Sequence, residues 1–451
     1  MHRLRALWQH LNASLWFVPT LMVAAAIGLA FALVFLDAGI RHDWVPDYPL
    51  LFGAGSDGAR GMLTAIAGSM VTVAALIFSL TLSTLAQVSS QYTSRVLRNF
   101  MRDRANQVVL GFFVSIFVYC LIVLRTIRGG DEGGFIPSLA VLMGLVLALV
   151  SIGVLIFFIH HMATAIQAST IIRHATEETQ AAIARLFPEQ LGEEADPAQA
   201  QELLRQAGQL HWQPVPAGAT GYVQSMDEEA LLALARRLGG VVRLEHGMGG
   251  FVARGAALAS VARYEPAAPM ALTGELTAQL NDCFSLGSQR TIEQDAGFGL
   301  RQLVDIALKA LSPGINDTTT ALIGIDHLSA LLAQLADRHF EQPWRTDHER
   351  VRVIAVRPTF GGYLATAFDQ IRGSADGNVA VYLRLLTALA TIGQRTQAPA
   401  RRQALRQQAD LIAEAARRTL PTDYEREQVR QRLAEVAAAF GEGIRPDNPY
   451  R

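Results

Sequence analysis

The sequence predicts an α-helical four-span transmembrane bundle, followed by an α+β cytoplasmic region that combines a small β-rich module with a helical bundle. First, four long apolar runs without Asp, Glu, Lys or Arg lie within residues 1–161. Second, the rest of the chain is mostly polar, with short strands between glycines and then amphipathic helices. The predicted parts are a transmembrane domain at 1–161, a helical stalk at 160–187, a β-rich module at 219–265, a mainly helical domain at 271–440 and a flexible tail at 441–451.

The four apolar runs cover residues 15–36, 62–86, 108–124 and 135–159. A helix needs about 20 apolar residues to cross the roughly 30 Å of bilayer hydrocarbon, and each run approaches or exceeds that length. The first run also fits the apolar part of a signal peptide, because a basic segment precedes it and Ala30-Phe31-Ala32 resembles a cleavage site. It continues past that site, so we expect it to remain as the first span.

The positions of the arginines predict the orientation of the spans. The connection between the second and third runs carries Arg95, Arg98, Arg102 and Arg104 against one acid, Asp103. Short connections rich in arginine stay in the cytoplasm. Both termini and the polar half are therefore expected to be cytoplasmic. The four arginines have two interpretations: they contact lipid phosphates, or they form a basic collar that attracts anions at the mouth of a pore.

The second run has a continuous face of small and hydroxyl-bearing residues. At about 100° per residue, these positions lie within about 60° of one line along the helix. They are Gly61, Thr64, Gly68, Thr72, Ala75, Ser79 and Ser83. Such a face can pack closely against another helix, or it can line water in a pore. A single four-helix bundle leaves no aqueous path, so a pore requires several copies of the chain.

The fourth run is expected to continue beyond the membrane as a helical stalk, since neither glycine nor proline occurs between Gly153 and Pro188. A continuous helix of that length would measure about 50 Å. His160 and His161 mark its exit from the membrane. Adjacent helical residues point about 100° apart, and the sequence offers no evident third ligand, so we expect no metal site there.

Short segments separated by glycines predict a small β-barrel or sandwich at 219–265. Asp227 suits the start of a helix that Gly239-Gly240 would end. The string from Gly249 to Gly255 is also rich in glycine, but no Lys-Ser or Lys-Thr follows it. We therefore expect it to form turns between strands rather than a phosphate-binding loop.

The densest group of polar residues lies early in the mainly helical domain. Arg301, Asp305 and Lys309 recur every four residues, so they share a helix face and can pair. Ser312-Pro313-Gly314 would end that helix, and Asp317 can cap the next one. One hypothesis is a cytoplasmic anion or ligand site, and the other is a well-capped helical hairpin. The residues of that site would be Arg301, Lys309, Asn316, Asp317 and Thr318.

Two segments carry a resemblance to a known family. One is Ser89-Ser90-Gln91-Tyr92 with Arg95, and the other runs from Phe298 to Asp317 and ends Leu-Ser-Pro-Gly-Ile-Asn-Asp. Both resemble the bacterial membrane-protein family called domain of unknown function 2254, and the resemblance extends over nearly the whole chain. Where that family has Pro-Gly-Asp-Phe-Val, this chain has Met248-Gly249-Gly250-Phe251-Val252. The resemblance implies a location in the bacterial inner membrane, and it brings no activity and no catalytic residues.

Composition narrows the function classes. The formal net charge is -1, and the sequence has no zinc-finger or aromatic–basic motif, so we expect no nucleic-acid partner. No metal-ligand cluster, nucleophile motif or nucleotide loop stands out, so we expect neither an enzyme nor a cofactor. One remaining hypothesis is a homo-oligomeric channel-like or transport protein for small ions, surrounded by membrane lipids and carrying a cytoplasmic regulatory domain. The alternative is a membrane-anchored sensor or scaffold without conduction.

Overall fold

The chain divides into two compact units, Met1–Ile171 and Ile172–Arg451. The computed structural model describes residues 16–39, 55–91, 103–129, 135–165, 167–187, 205, 210–264, 272–292, 295–340, 344–347 and 350–439. Three arginines of the predicted collar and the predicted flexible tail at 441–451 lie outside the described residues.

The described part of unit 1 contains four helices, and each includes most of one predicted apolar run. They are α1 (Phe17–Gly39), α2 (Ser56–Gln91), α3 (Arg104–Thr126) and α4 (Ser138–Ala165). Pro19 is compatible with α1 because it lies in the first turn, where backbone N–H groups have no partner within the helix. The four predicted apolar runs are thus confirmed as helices.

Helix α3 is the centre of unit 1, since it packs against α1, α2 and α4. Its buried residues occupy most of its circumference and include Phe113, Ile116 and Tyr119. The Tyr119 hydroxyl donates a hydrogen bond of 2.7 Å to the Ala140 carbonyl of α4. Gly111 allows close contact with α1, because a Cβ there would lie 2.9 Å from the Pro19 Cα. The other three helices therefore enclose α3.

Two aspartates stabilise helix starts in unit 1. Asp37, only 2% exposed, accepts hydrogen bonds from the backbone N–H groups of Leu139 (3.2 Å) and Ala140 (3.0 Å), in the first turn of α4. Asp103 caps α3 by accepting a bond from the Ala105 N–H at 2.9 Å. Carboxylates are favourable at both places because helix N-termini carry partial positive charge and unpaired N–H groups.

Among the described residues, five helices are long and apolar enough to cross a membrane, whereas we predicted four spans. The fifth is Thr318–Ala336, which lies in unit 2. It carries Asp326 and His327 near its middle, and these polar residues interrupt its apolar pattern in the sequence. The structure therefore has several apolar helices, followed by a mixed α/β region with a helical bundle.

In place of one continuous stalk, the structure has two helices. Helix α4 ends at Ala165, and α5 covers Ala168–Leu186. Near the end of α4, the Thr164 hydroxyl donates to the carbonyls of His160 (3.1 Å) and His161 (3.0 Å), which competes with the backbone bonds of the helix. Most of α5 belongs to unit 2, where the Thr176 hydroxyl lies 2.9 Å from His327 Nδ1. Packing thus makes α5 part of a globular core.

Two sheets form the β-rich part of unit 2. The strands are β1 (Gln213–Pro216), β2 (Gly221–Met226), β3 (Gly240–Leu244), β4 (Phe251–Val252), β5 (Ala257–Arg263), β6 (Phe284–Gly287), β7 (Trp344–Asp347) and β8 (Arg350–Ile354). One sheet has the order β1-β5-β3-β8-β7, and the other has the order β4-β2-β6. All pairs are antiparallel except β3 and β8. The predicted module at 219–265 supplies only four of these strands, because β1 comes earlier in the chain and β6, β7 and β8 come later.

Eight further helices complete the described part of unit 2. They are α6 (Glu228–Arg237), α7 (Gly274–Asp282), α8 (Ala296–Ala310), α9 (Thr318–Ala336), α10 (Phe360–Ser374), α11 (Val379–Gly393), α12 (Pro399–Thr419) and α13 (Asp423–Ala439). Asp227 caps α6, and Gly239 follows it with φ +60, as predicted. Residues of both sheets, α6 and α7 share one apolar core. Helices α8 to α13 pack on one another as a bundle.

The close packing at Gly111 predicts that a larger side chain there lowers the free energy of unfolding. Gly111→Ala would push a methyl group into Pro19 and Met22 Sδ of α1, so we expect a loss of about 1–3 kcal/mol. Gly28→Ala is the control, because no atom lies within 4 Å of a Cβ at that helical position. The midpoint of thermal unfolding in one detergent should fall for the first variant only. Equal midpoints would contradict the close packing of α1 on α3.

Candidate functional site

The small and hydroxyl-bearing face of α2 lies on the outside of unit 1. Its predicted members, Gly61, Thr64, Gly68, Thr72, Ala75, Ser79 and Ser83, are all exposed. The residues of α2 that are buried within unit 1 lie about 180° around the helix from this face. They include Leu63, Ala67, Met70, Ala74 and Ile77. The seven exposed residues, called the α2 face below, thus make no core contacts within the described part of the chain.

The α2 face has room for a close neighbour. A Cβ at Gly61 or Gly68 would meet no atom within 4 Å in the described part of the chain. The Thr72 hydroxyl donates to the Gly68 carbonyl at 2.9 Å, so its hydrogen-bonding need is met within the helix. Ser79 and Ser83 make no side-chain hydrogen bond to another described residue. The face therefore combines open backbone with hydroxyls that can meet another helix or water.

The predicted basic collar is only partly described. Arg104 is exposed in the first turn of α3, whereas Arg95, Arg98 and Arg102 lie outside the described residues. Next to Arg104, the carboxylate of Asp103 lies 2.6 Å from His161 Nε2 on α4. The ring of His161 stacks on Phe157 at a centroid distance of 5.8 Å. This end of unit 1 thus carries charged and polar side chains of both signs.

A buried polar residue at the same end escaped the sequence analysis. Asn106 is 4% exposed, in the first turn of α3, and its amide oxygen and nitrogen have no hydrogen-bond partner among the described residues. The neighbouring Gln107 is also buried. The polar sequence of residues 104–107 does not show that these amides are buried, because their burial depends on neighbours distant in the chain.

Of the predicted anion or ligand residues of unit 2, Arg301 lies apart from the other four, which belong to the turn between α8 and α9. Arg301 pairs with Asp305 at 3.0 Å on α8, about 14 Å of helix before the α8 C-terminus. Asp317 caps α9 by accepting bonds from the Thr320 N–H (3.0 Å) and hydroxyl (2.6 Å). The Thr318 hydroxyl accepts a bond of 2.8 Å from Asn378 at the start of α11.

The geometry at the start of α9 fits a capped helical hairpin better than an anion site. Hydrogen bonds donated by Thr320 hold the pKa of Asp317 below its ordinary value, so the carboxylate is negative at neutral pH. That carboxylate occupies the helix N-terminus, where an external anion would otherwise bind. Asn316 has φ +50 and makes the turn between Lys309, near the end of α8, and Asp317.

An ion pair that the sequence analysis missed lies at the start of α8. Asp295 caps α8 through the Phe298 N–H at 3.2 Å, and it accepts bonds from Arg290 Nε (2.9 Å) and Nη2 (2.5 Å). The pair lies against Gly249, where a Cβ would meet both Asp295 Oδ2 and the Arg290 guanidinium. Gly249 also has φ +73. The five-residue spacing of Arg290 and Asp295 was visible in the sequence, but their contact with a distant glycine turn was not.

Several apolar helices followed by a mixed α/β unit define a class of integral membrane proteins with a large polar portion. Within that class, the chain belongs to the family described as "Predicted membrane protein (DUF2254)", which it matches over residues 12–391. Uncharacterized proteins of Mycobacterium bovis and of two strains of Mycobacterium tuberculosis are 34% identical to it over 431 residues. The match covers 95% of this chain and 81% of theirs. No solved structure matches the chain.

The Gly249 turn gives a paired stability prediction. Gly249→Ala introduces both left-handed backbone strain and a clash with the Arg290–Asp295 pair, so we expect a loss of about 2–4 kcal/mol. Gly255→Ala has comparable strain at φ +84 but meets no atom within 4 Å, so its loss should be about 1 kcal/mol. Thermal unfolding of the full chain, with hydrogen exchange at β2 as a local probe, would measure both. Equal losses would show that the ion pair does not constrain this turn.

Proposed function

We propose that the protein is a homo-oligomeric, channel-like protein of the bacterial inner membrane, with unit 2 as a cytoplasmic regulatory part. The supporting observation is the α2 face, which is small, hydroxyl-bearing and exposed on the outside of the protomer. Membrane lipids surround the assembly, and small ions are the proposed cargo. Each part of this proposal has its own support in the protomer.

Helices α1 to α4 are the proposed spans. Each is long and apolar enough to cross the membrane. Helix α9 meets the same criterion, but half of it is buried within unit 2 and its Asp326 lies 3.4 Å from Arg384. Ionised side chains in hydrocarbon are costly, so we assign α9 to the core of unit 2. The orientation with both termini in the cytoplasm follows from the arginine-rich connection between α2 and α3.

The α2 face supports assembly because it is poorly suited to contact with lipid alone. Helices associate in membranes through small residues that allow close approach and through hydroxyls that bond across the contact. Large apolar residues such as Phe78 and Leu80 cover the flanks of α2, where they suit lipid chains. A ring of protomers with the α2 faces turned toward a common axis would line that axis with hydroxyls and helix backbone.

The alternative is a membrane-anchored sensor or scaffold whose α2 faces pack dry against each other. The hydroxyl of Thr72 favours this alternative, since it already bonds to Gly68 and needs no water. The two functions share the oligomer and differ in whether water reaches the face. Assembly and conduction therefore require separate experiments.

Assembly can be tested with two glycines that are equally open in the protomer. Gly68 on α2 and Gly153 on α4 are both exposed, and a Cβ added at either would meet no atom within 4 Å, so the two positions are matched within one chain. We expect Gly68→Leu to disrupt the oligomer and Gly153→Leu to leave it intact, because only the first lies on the proposed contact. Native mass measurement in nanodiscs reports both. A monomeric unsubstituted protein would rule out the assembly and, with it, the pore.

Conduction can be tested by charging the α2 face after assembly. Ser79→Cys should react with a sulfonated methanethiosulfonate reagent, and ion flux through reconstituted liposomes should fall if Ser79 lines water. Phe78→Cys is the control, because Phe78 is 52% exposed but points about 100° away. Cys120 and Cys283 are buried, which limits background reaction. Flux equal to that of empty liposomes, across salts, pH values and membrane tensions, would support the sensor or scaffold.

A further inference from the structure

An apolar cleft of about 290 Å³ lies within unit 2, where the sheets meet the helical bundle. Strand β2, the Gly249 turn, the segment after β8, and the ends of α5, α8, α9 and α10 all contribute to its walls. Its volume is close to the lower end of the range typical of small-molecule sites, about 300–1,000 Å³. The sequence could not reveal it, because these segments are far apart along the chain.

One wall of the cleft is aromatic. Phe187, Phe340 and Tyr363 line it, with ring centroids 5.0 Å apart for Phe187 and Phe340 and 5.9 Å apart for Phe187 and Tyr363. Arg401 lies 5.1 Å from the Phe340 centroid and donates a hydrogen bond to the Ala336 carbonyl at 2.6 Å. These contacts hold the aromatic rings in place, so the wall is preformed.

Other lining residues of the cleft are aliphatic and adaptable. Met226, Met248, Ala355 and Val356 line it. Methionine side chains are flexible and can adjust to the shape of a ligand. A flat apolar group could therefore stack on the fixed aromatic rings while the methionines adjust to its shape.

Charged groups at the cleft are already paired within the protein. Glu228 lies 2.6 Å from Arg357 and 3.1 Å from Arg345, while Asp295 bonds to Arg290. A charged ligand entering this apolar space would have to break one of these pairs or remain without a counter-charge, and both are costly. The cleft therefore favours an uncharged ligand.

Tyr363 supplies a polar group for such a ligand. Its side chain is 5% exposed and lines the cleft, yet its hydroxyl makes no hydrogen bond to another described residue. The hydroxyl oxygen is not among the fully buried polar atoms without a partner in the described part of the chain, so it is open to water or to a ligand in the cleft. Burial raises the pKa of Tyr363 above its ordinary value, and the Asp295 carboxylate adds to that effect. The hydroxyl therefore stays protonated, and it can donate a hydrogen bond to a carbonyl oxygen.

We propose that this cleft binds a small, uncharged, flat apolar molecule whose carbonyl or amide oxygen accepts a hydrogen bond from Tyr363. The aromatic wall and the methionines hold the apolar part, and the paired charges exclude anions and cations. This site lies within unit 2 alone and does not depend on conduction through α2.

The test uses 4-fluorobenzamide as the probe and the full chain in nanodiscs. Fluorine NMR relaxation of the probe should change relative to empty nanodiscs. The charged analogue 4-fluorobenzoate, which has nearly the same shape, should bind at least about 10-fold more weakly. Tyr363→Phe should weaken benzamide binding about 3- to 10-fold, as expected for the loss of one hydrogen bond.

Two matched controls locate the effect. Tyr382→Phe removes another buried hydroxyl, which bonds to Thr419 at 2.8 Å, so it should lower stability and leave probe binding unchanged. Val356→Trp should fill the cleft and abolish binding, whereas Ile315→Trp, at an exposed aliphatic residue outside the cleft, should not. The proposal fails if the probe behaves as with empty nanodiscs, if benzoate binds as well as the amide, or if Tyr363→Phe and Val356→Trp bind like the unsubstituted protein.

Discussion

The enclosure of α3 by α1, α2 and α4 determines the organisation of unit 1. Hydrocarbon offers no hydrogen bonds, so hydrogen bonds between neighbouring helices stabilise polar groups inside the bundle. Tyr119 meets the Ala140 carbonyl, and Asp37 meets the first N–H groups of α4. Gly111 allows α1 to approach closely enough to complete the enclosure. One face of α2 takes part in the enclosure of α3. The opposite face of α2 therefore has no partner within the described part of the chain.

That division of α2 explains why assembly is central to the proposed function. The buried side of α2 consists of Leu63, Met70, Ile77 and alanines. These residues lie on the side of α2 that packs against α3. The exposed side combines the small, hydroxyl-bearing stripe with large apolar residues such as Leu76 and Leu82, and we propose that the stripe is a second contact surface. Within the proposed function, the contact made by its hydroxyls distinguishes the two alternatives: water in a channel, or another helix in a scaffold.

Unit 2 depends on long-range contacts of a different kind. The parallel pairing of β3 with β8 joins strands separated by more than a hundred residues, and Val242 lies opposite Val353 in that register. The Arg290–Asp295 pair fixes the start of α8 against the Gly249 turn. Together these contacts bring the sheets and the bundle to opposite sides of the apolar cleft. A ligand that binds there would stabilise the folded form of unit 2 by mass action, which suits a regulatory part.

The sequence by itself determined the four apolar runs, the positions of several helix caps and the mixed character of the second half. These features are local: helix length follows from an uninterrupted apolar run, and capping by Asp227 or Asp317 depends on residues within one turn. The helical period also predicted which residues share the α2 face.

Only the tertiary structure decided which way that face points, because the choice depends on the side of α2 that meets α3. Tertiary packing likewise decided the position of α5 in unit 2, the strands that joined the sheets from beyond residue 265, and the cleft around Tyr363. Each of these results from contacts between residues distant in sequence. Thr176, for example, meets His327 across 151 positions, which places α5 in the core of unit 2 rather than in a free stalk. The amino-acid sequence shows the period and polarity of a segment. The free energy gained by burying that segment, however, depends on which other part of the protein packs against it.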